Sequence, residues 1–134
     1  MERTLILLKP DAIERQLVGT ILNRFEQKGL RIVALRMLQF TPELARQHYA
    51  EHVEKAFYSG LEAYITSGPV VAAILEGAEA VAVVRRMIGP TSGIDAPSGT
   101  IRGDFSLSGR RNLVHASDSA AAAEREMTIF FGEV

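Results

Sequence analysis

Apolar positions in this chain fall into short runs and helical stripes, parted by turn residues. The first run, residues 4–8, is unbroken and reads as a buried strand, stopped at Lys9-Pro10-Asp11. Val18, Ile21, Leu22 and Phe25 then recur at i, i+3, i+4 and i+7, the stripe of a helix closed by Lys28 and Gly29. Residues 30–38 read as a second strand. Thr41-Pro42-Glu43 is a helix start, with a hydroxyl cap and proline at the first helical position; that helix is expected to run on to His52. A shorter helical segment follows around 61–65, then a turn at Ser67-Gly68-Pro69 and a third strand at 70–75. Residues 79–88 look helical and stop at Gly89-Pro90. The stretch 89–112 is dense in Gly, Pro, Ser, Thr and Asp and has no sustained period. Loops longer than about 12–15 residues are uncommon in compact domains and are often functional. Leu113-Val114-His115 reads as a last short strand, and Ser119 or Asp118 caps a final helix through Phe131.

The order strand, helix, strand, helices, strand, helix, strand, helix fits one domain over 1–134. Its class is α+β: a ferredoxin-like βαββαβ sandwich with a four-stranded antiparallel sheet, helices covering one face and an inserted long loop. The chain of 134 residues, 47% hydrophobic and 23% charged, can bury one core. A net charge of −1 argues against a nucleic acid or an acidic membrane as the main partner. No cysteine is present, which excludes disulfides and thiolate metal sites. There is no signal-like apolar region at the start and no run near the ~20 residues of a membrane helix, so a cytoplasmic protein is expected. Among fifteen basic residues only Lys9, Lys28 and Lys55 are lysines. Arginine grips phosphate through a planar fork, although a GC-rich genome gives the same skew.

Glu126 stands out by periodicity alone. Its helical neighbours Ala122, Ala123, Ile129 and Phe130 are all apolar, so its carboxylate lies on a face meant for burial and needs a partner. His115 is one choice, which would orient the imidazole as a nucleophile or base; Arg102 or Arg111 is the structural alternative. His115 sits just before a helix N-terminus suited to anionic phosphate, and Thr91, Arg102 and Asn112 come from the polar stretch upstream. No Walker A sequence and no protein-kinase signature occurs. His48-Tyr49-Ala50-Glu51-His52 matches the H-x-x-E-H zinc motif, with His48 and His52 on one helix face, but no third ligand is evident. Arg102-Gly103-Asp104-Phe105 is a faint match to an RNA-binding signature that lacks its second aromatic.

Asn112 and Val114-His115-Ala116-Ser117-Asp118-Ser119 together resemble the active-site signature of nucleoside diphosphate kinases, asparagine–x–x–histidine–glycine–serine–aspartate. Further stretches resemble the same family in the same order: Glu2-Arg3-Thr4 to Lys9-Pro10-Asp11, Arg24-Phe25-Glu26, Thr66-Ser67-Gly68-Pro69-Val70-Val71, Gly99-Thr100-Ile101-Arg102-Gly103-Asp104-Phe105 and Ala123-Glu124-Arg125-Glu126. The resemblance implies transfer of the γ-phosphate of a nucleoside triphosphate to a nucleoside or deoxynucleoside diphosphate, through a phosphohistidine on His115 and with Mg2+. It implies that Glu126 and Ser117 hold the ring, and that Arg85, Thr91 and Arg102 grip phosphates. Lys9 and Asn112 would contact the sugar hydroxyl and the transferring phosphate, Tyr49 would lie beside the nucleophile, and Phe57 would stack on the base. Asp118 would be an outer-shell partner of the magnesium ion. A closed homo-oligomer is implied as well, with the short tail favouring a tetramer or hexamer built from dimers. Two features depart from the family pattern. Ala116 replaces a glycine, so φ < 0 or slight strain is expected there, and the loop 91–99 lacks an asparagine–proline after Thr91.

Overall fold

The computed structural model describes residues 1–132; the last two positions of the expected 1–134 domain, Glu133 and Val134, lie outside it. The strands are β1 (Glu2–Leu8), β2 (Arg31–Gln39), β3 (Pro69–Gly77) and β4 (Val114–Ala116). The helices are α1 (Pro10–Glu14), α2 (Val18–Lys28), α3 (Pro42–His48), α4 (Tyr58–Ile65), α5 (Ala80–Ile88), α6 (Ile101–Phe105) and α7 (Ala120–Phe131). The strands form one sheet in the order β2-β3-β1-β4, and every pairing is antiparallel, as a ferredoxin-like sandwich requires. The helix boundaries read from sequence chemistry hold where a cap sets them. Gly29 ends α2 at φ 107°, the left-handed conformation that glycine adopts without a Cβ penalty. The Thr41 hydroxyl accepts from Leu44 N at 3.1 Å, and the Ser119 hydroxyl accepts from Ala122 N at 3.0 Å.

Four features differ from the sequence expectation, the first being α1, a helix that begins on Pro10 where Lys9-Pro10-Asp11 reads only as a strand stop. Helices cover both faces of the sheet, not one. Ile6, Leu8, Ala73 and Leu75 pack with Ile21, Phe25, Val84 and Ile88, while Leu5, Leu7, Val70 and Ala72 pack with Phe40, Tyr49, Ile65 and Phe130. That is why residues 4–8 are an unbroken apolar run: with both faces of β1 buried, alternation disappears. Next, α3 ends at His48 instead of reaching His52, and a single 3-10 turn follows at Ala50–His52. His48 and Tyr49 are both buried, and consecutive side chains on a continuing helix would face ~100° apart. Finally, the long loop contains α6, capped by the Thr100 hydroxyl, which accepts from Gly103 N at 3.0 Å. A Cβ at Gly103 would lie 1.9 Å from the Pro97 carbonyl oxygen, so this close approach demands glycine. Its helical conformation also removes Arg102-Gly103-Asp104-Phe105 from any strand-borne RNA-binding motif.

Candidate active site

Pairing places His115 opposite Leu7, with Val114 opposite Leu8 and Ala116 opposite Ile6. Strand alternation therefore sends Val114 and Ala116 into the core with Ile6 and Leu8, and turns His115 toward the face covered by α7. There Glu126, buried on α7, takes His115 Nε2 at 2.6 Å and the Ser117 hydroxyl at 3.1 Å, both through Oε1. A third partner of Glu126 is Arg125 at 3.8 Å, so neither Arg102 nor Arg111 is its counterion. A carboxylate can only accept; Nε2 carries the ring proton in this bond, and the lone pair of the neutral imidazole lies on Nδ1. The His115 side chain is 24% exposed, so a reactant can reach it.

Lys9 lies at the end of β1, where its N–H donates to Leu113 O at 2.8 Å, and its buried ammonium donates to Asn112 Oδ1 at 2.8 Å. The Asn112 amide donates to the carbonyls of Thr91 at 2.9 Å and Gly109 at 3.0 Å, which ties the long loop to the site. Arg102 is 5% exposed, and its guanidinium donates to the carbonyls of Asn112 (3.3 Å), Gly89 (3.0 Å) and Val114 (2.6 Å). Three of five N–H groups are thereby used and two remain. Arg85, on α5, donates to Ala116 O at 3.2 Å. Among the described residues neither Lys9 nor Arg102 has a carboxylate partner within salt-bridge distance. Burial and the Arg102 cation, partly offset by Asp11, hold Lys9 at about 8. Burial and the Arg85 cation hold Arg102 at about 10. Cations kept this close without an acid are an anion site with a physical rationale.

These residues line two clefts. One, of about 200 Å³, is lined by His115 with Tyr49, Arg85, Asp118, Arg125 and Glu126. The other, of about 350 Å³, is lined by Lys9, Phe57, Thr91 and Asn112 with Arg110. Phe57 is 51% exposed, an aromatic ring with Lys55 Nζ 5.7 Å and the His52 ring 5.6 Å from its centroid and the rest of its surface open to stacking. A wider hollow of about 590 Å³ between α3 and α7 contains none of the predicted site residues. Tyr49 is buried beside Glu126, and that burial with the carboxylate charge pushes its hydroxyl well above the ordinary phenol range. His48 and His52 do not share a helix face: His48 is buried in the site, whereas His52 lies beyond the helix end with Nδ1 at 2.9 Å from Lys55 Nζ.

Sequence reasoning missed Asp11. Its carboxylate accepts from the buried Tyr64 hydroxyl and, at 3.2 Å, from Leu113 N. Leu113 has φ 73°, a left-handed value that costs a branched residue about 1–3 kcal/mol. Of the two alternatives at Ala116, φ < 0 or slight strain, the backbone takes the first: that residue has no positive φ, and the left-handed position is three residues earlier. The only sequence signal for Asp11 is a carboxylate one residue after Pro10, which is not enough to find it.

The lowered Lys9 has a pH consequence. Between about 8 and 10.5 the unfolded chain binds the proton that the folded chain has lost, so folding stability rises with pH across that window. If charged Lys9 is needed to hold phosphate, kcat/KM falls over the same rise, with a free-enzyme pKa of about 8. A pH profile of kcat/KM for Lys9→Arg is expected to lose that alkaline limb; an unmoved limb assigns it to another group.

An antiparallel α+β sandwich presenting an oriented histidine beside acid-free cations defines the class, a phosphotransferase. The family model described as "Nucleoside diphosphate kinase" matches residues 2–134. The nucleoside diphosphate kinase of Rhodopirellula baltica is 60% identical over 131 residues, 98% of this chain and 86% of that protein. That of Archaeoglobus fulgidus is 55% identical over 133 residues, 99% and 88% of the two chains. Among solved structures, the halophilic nucleoside diphosphate kinase of Halobacterium salinarum in complex with CDP superposes with a TM-score of 0.96 at 46% identity, covering 98% of this chain and 88% of that one. The apo enzyme of Encephalitozoon cuniculi gives 0.97 at 39% identity, covering 99% and 90%. This chain belongs to the nucleoside diphosphate kinase family.

Proposed function

We propose that His115 takes the γ-phosphate of a nucleoside triphosphate on Nδ1 and returns it to a nucleoside or deoxynucleoside diphosphate. The observation that carries this is the Glu126 contact at 2.6 Å, which occupies Nε2 and leaves Nδ1 as the nucleophilic nitrogen. Attack forms the Nδ1–P bond as the bridging oxygen departs with the diphosphate. The imidazolium character that develops is stabilised by Glu126, while Ser117 keeps that carboxylate in place. Lys9, Arg85 and Arg102 supply positive charge around the phosphates, with Thr91 and Asn112 lining the Lys9 cleft. Asn112 Oδ1 has one lone pair left for a sugar hydroxyl after accepting from Lys9. Phe57 offers a face to any base, which supports broad nucleotide use. Asp118 provides a hard oxygen in the His115 cleft, the donor type that suits Mg2+ as an outer partner; the ion, when bound, neutralises phosphate charge. The CDP held by the Halobacterium salinarum relative supports the diphosphate class. Among the described residues no helix is long and apolar enough to cross a membrane.

Intact-mass spectrometry after brief incubation with Mg·ATP tests the reading. One acid-labile phosphate per chain, discharged by a deoxynucleoside diphosphate, is expected. Nucleotide binding with no mass increase overturns it. The same reading includes a closed homo-oligomer, tetramer or hexamer, with β2 as one contact. β2 is an edge strand whose Leu35 and Met37 are 55% and 61% exposed, and a strand edge with apolar side chains invites pairing with a second copy. Met37→Lys is expected to shift sedimentation toward smaller species, and an unchanged distribution removes β2 from the interface.

A further inference from the structure

His48 is 4% exposed, and neither of its ring nitrogens has a hydrogen-bond partner. Its ring centroid lies 4.8 Å from that of His115, 4.5 Å from Tyr49 and 5.3 Å from Phe130, an aromatic box that supplies no acceptor for its N–H. A buried imidazole with neither nitrogen bonded by a protein group is costly, and it leaves both nitrogens available to a ligand in the site. One ligand atom each from His48, His115 and Glu126 lies within 4.8 Å of the others. Bonds of about 2.0–2.1 Å to zinc hold two donor atoms roughly 3.3 Å apart, so closing the widest pair by about 1.5 Å while the His115–Glu126 contact opens would seat this set around an ion.

We propose that His48, His115 Nε2 and Glu126 form a site for a borderline transition-metal dication, Zn2+ as type case, and that its occupancy shuts off phosphoryl transfer. This rests on the reading of His115 as the nucleophile. Two imidazoles and one carboxylate favour zinc over magnesium, which prefers oxygen donors, and water completes four-coordination. Burial, reinforced by the Arg125 and Lys9 charges, holds the His48 ring well below its ordinary value, and a metal binds the neutral imidazole. The proton balance explains the inhibition. Metal on His115 Nε2 displaces the single ring proton to Nδ1, so the nucleophilic lone pair is consumed with no net proton release. The ion also takes the Glu126 oxygen that would have stabilised the imidazolium. Arg125 and Arg85 line the same cleft and oppose a dication, so binding is reversible and not structural.

The test is zinc affinity, measured by competition with a chromophoric chelator in excess Mg2+, alongside phosphoenzyme formation from Mg·ATP by intact mass. The wild-type chain is expected to bind one zinc and to phosphorylate at least about tenfold more slowly when it is bound. His48→Phe should weaken zinc by at least about tenfold and lose that sensitivity, each variant being read against its own zinc-free rate. His48→Leu repeats the comparison if the phenylalanine variant melts early. His52→Ala should behave as wild type. Equal zinc affinity in the His48 variants, zinc loss in His52→Ala, or full-rate phosphorylation of the zinc-loaded protein overturns the proposal. Zinc bound through His48 in a chain that never takes phosphate, even without zinc, sinks the phosphohistidine reading instead.

Discussion

Replacing His115 by alanine is expected to abolish the acid-labile phosphoenzyme and to lower turnover on the order of 10⁴-fold or more. Losses of that size follow when the group that forms the covalent intermediate is removed, because orientation and charge alone then act on an unassisted bimolecular transfer. The fold should survive. His115 is part-exposed on a three-residue edge strand, and Glu126 retains the Ser117 hydroxyl at 3.1 Å and Arg125 at 3.8 Å. Initial-rate assays with several diphosphate acceptors, beside a thermal melt, separate the two effects. Transfer within tenfold of wild type would mean that phosphate passes directly between bound nucleotides and that His115 is not the carrier.

Arg102→Met is expected to damage both stability and transfer. Its guanidinium is the shared donor for the carbonyls of Gly89, Asn112 and Val114, the three points where the long loop and β4 meet. The Asn112 carbonyl keeps the Val114 N–H at 2.8 Å, but those of Gly89 and Val114 lose this donor. A buried acceptor left without a partner costs about 1–3 kcal/mol, so the two together give a loss of roughly 2 kcal/mol or more. For a domain of this size that is a fall of about 7 °C in Tm. Transfer should fall as well, because Lys9 and Asn112 lose their backing and one cation leaves the phosphate site. A melting temperature within 2 °C of wild type, taken as roughly half a kcal/mol, would show that those carbonyls are satisfied in another way.

Much of the architecture was legible because local chemistry encoded it. The i, i+3, i+4, i+7 stripe with Lys28-Gly29 delimited α2, and Thr41-Pro42 and Ser119 each marked a helix start through a cap that the structure contains. Glu126 was legible too, since a lone carboxylate on an apolar face must meet a donor, although periodicity left open whether that donor was His115 or an arginine. What was not legible depended on contacts distant in sequence. The end of α3 at His48 is set by burying two adjacent rings in the site. α6 contains a glycine that helix propensity disfavours, and it is tolerated because nothing larger fits against Pro97.

The order of the strands, the capped helix boundaries, the antiparallel α+β class and the family resemblance were readable in the sequence alone, because each rests on patterns a few residues long or on ordered motifs; the short helices α1 and α6 were not. Only the tertiary structure decided which nitrogen of His115 is tied to Glu126, that Arg102 closes on three carbonyls, and that Asp11 and Tyr64 hold Leu113 at a positive φ. It also ended α3 between His48 and His52 and set the His48 ring against His115. These are pairings across up to 103 positions of chain, as between Lys9 and Asn112, and they form where sheet register and helix packing bring the groups within hydrogen-bond range. Local pattern supplies the elements, but the distances that make a reactive site exist only once the layers have closed.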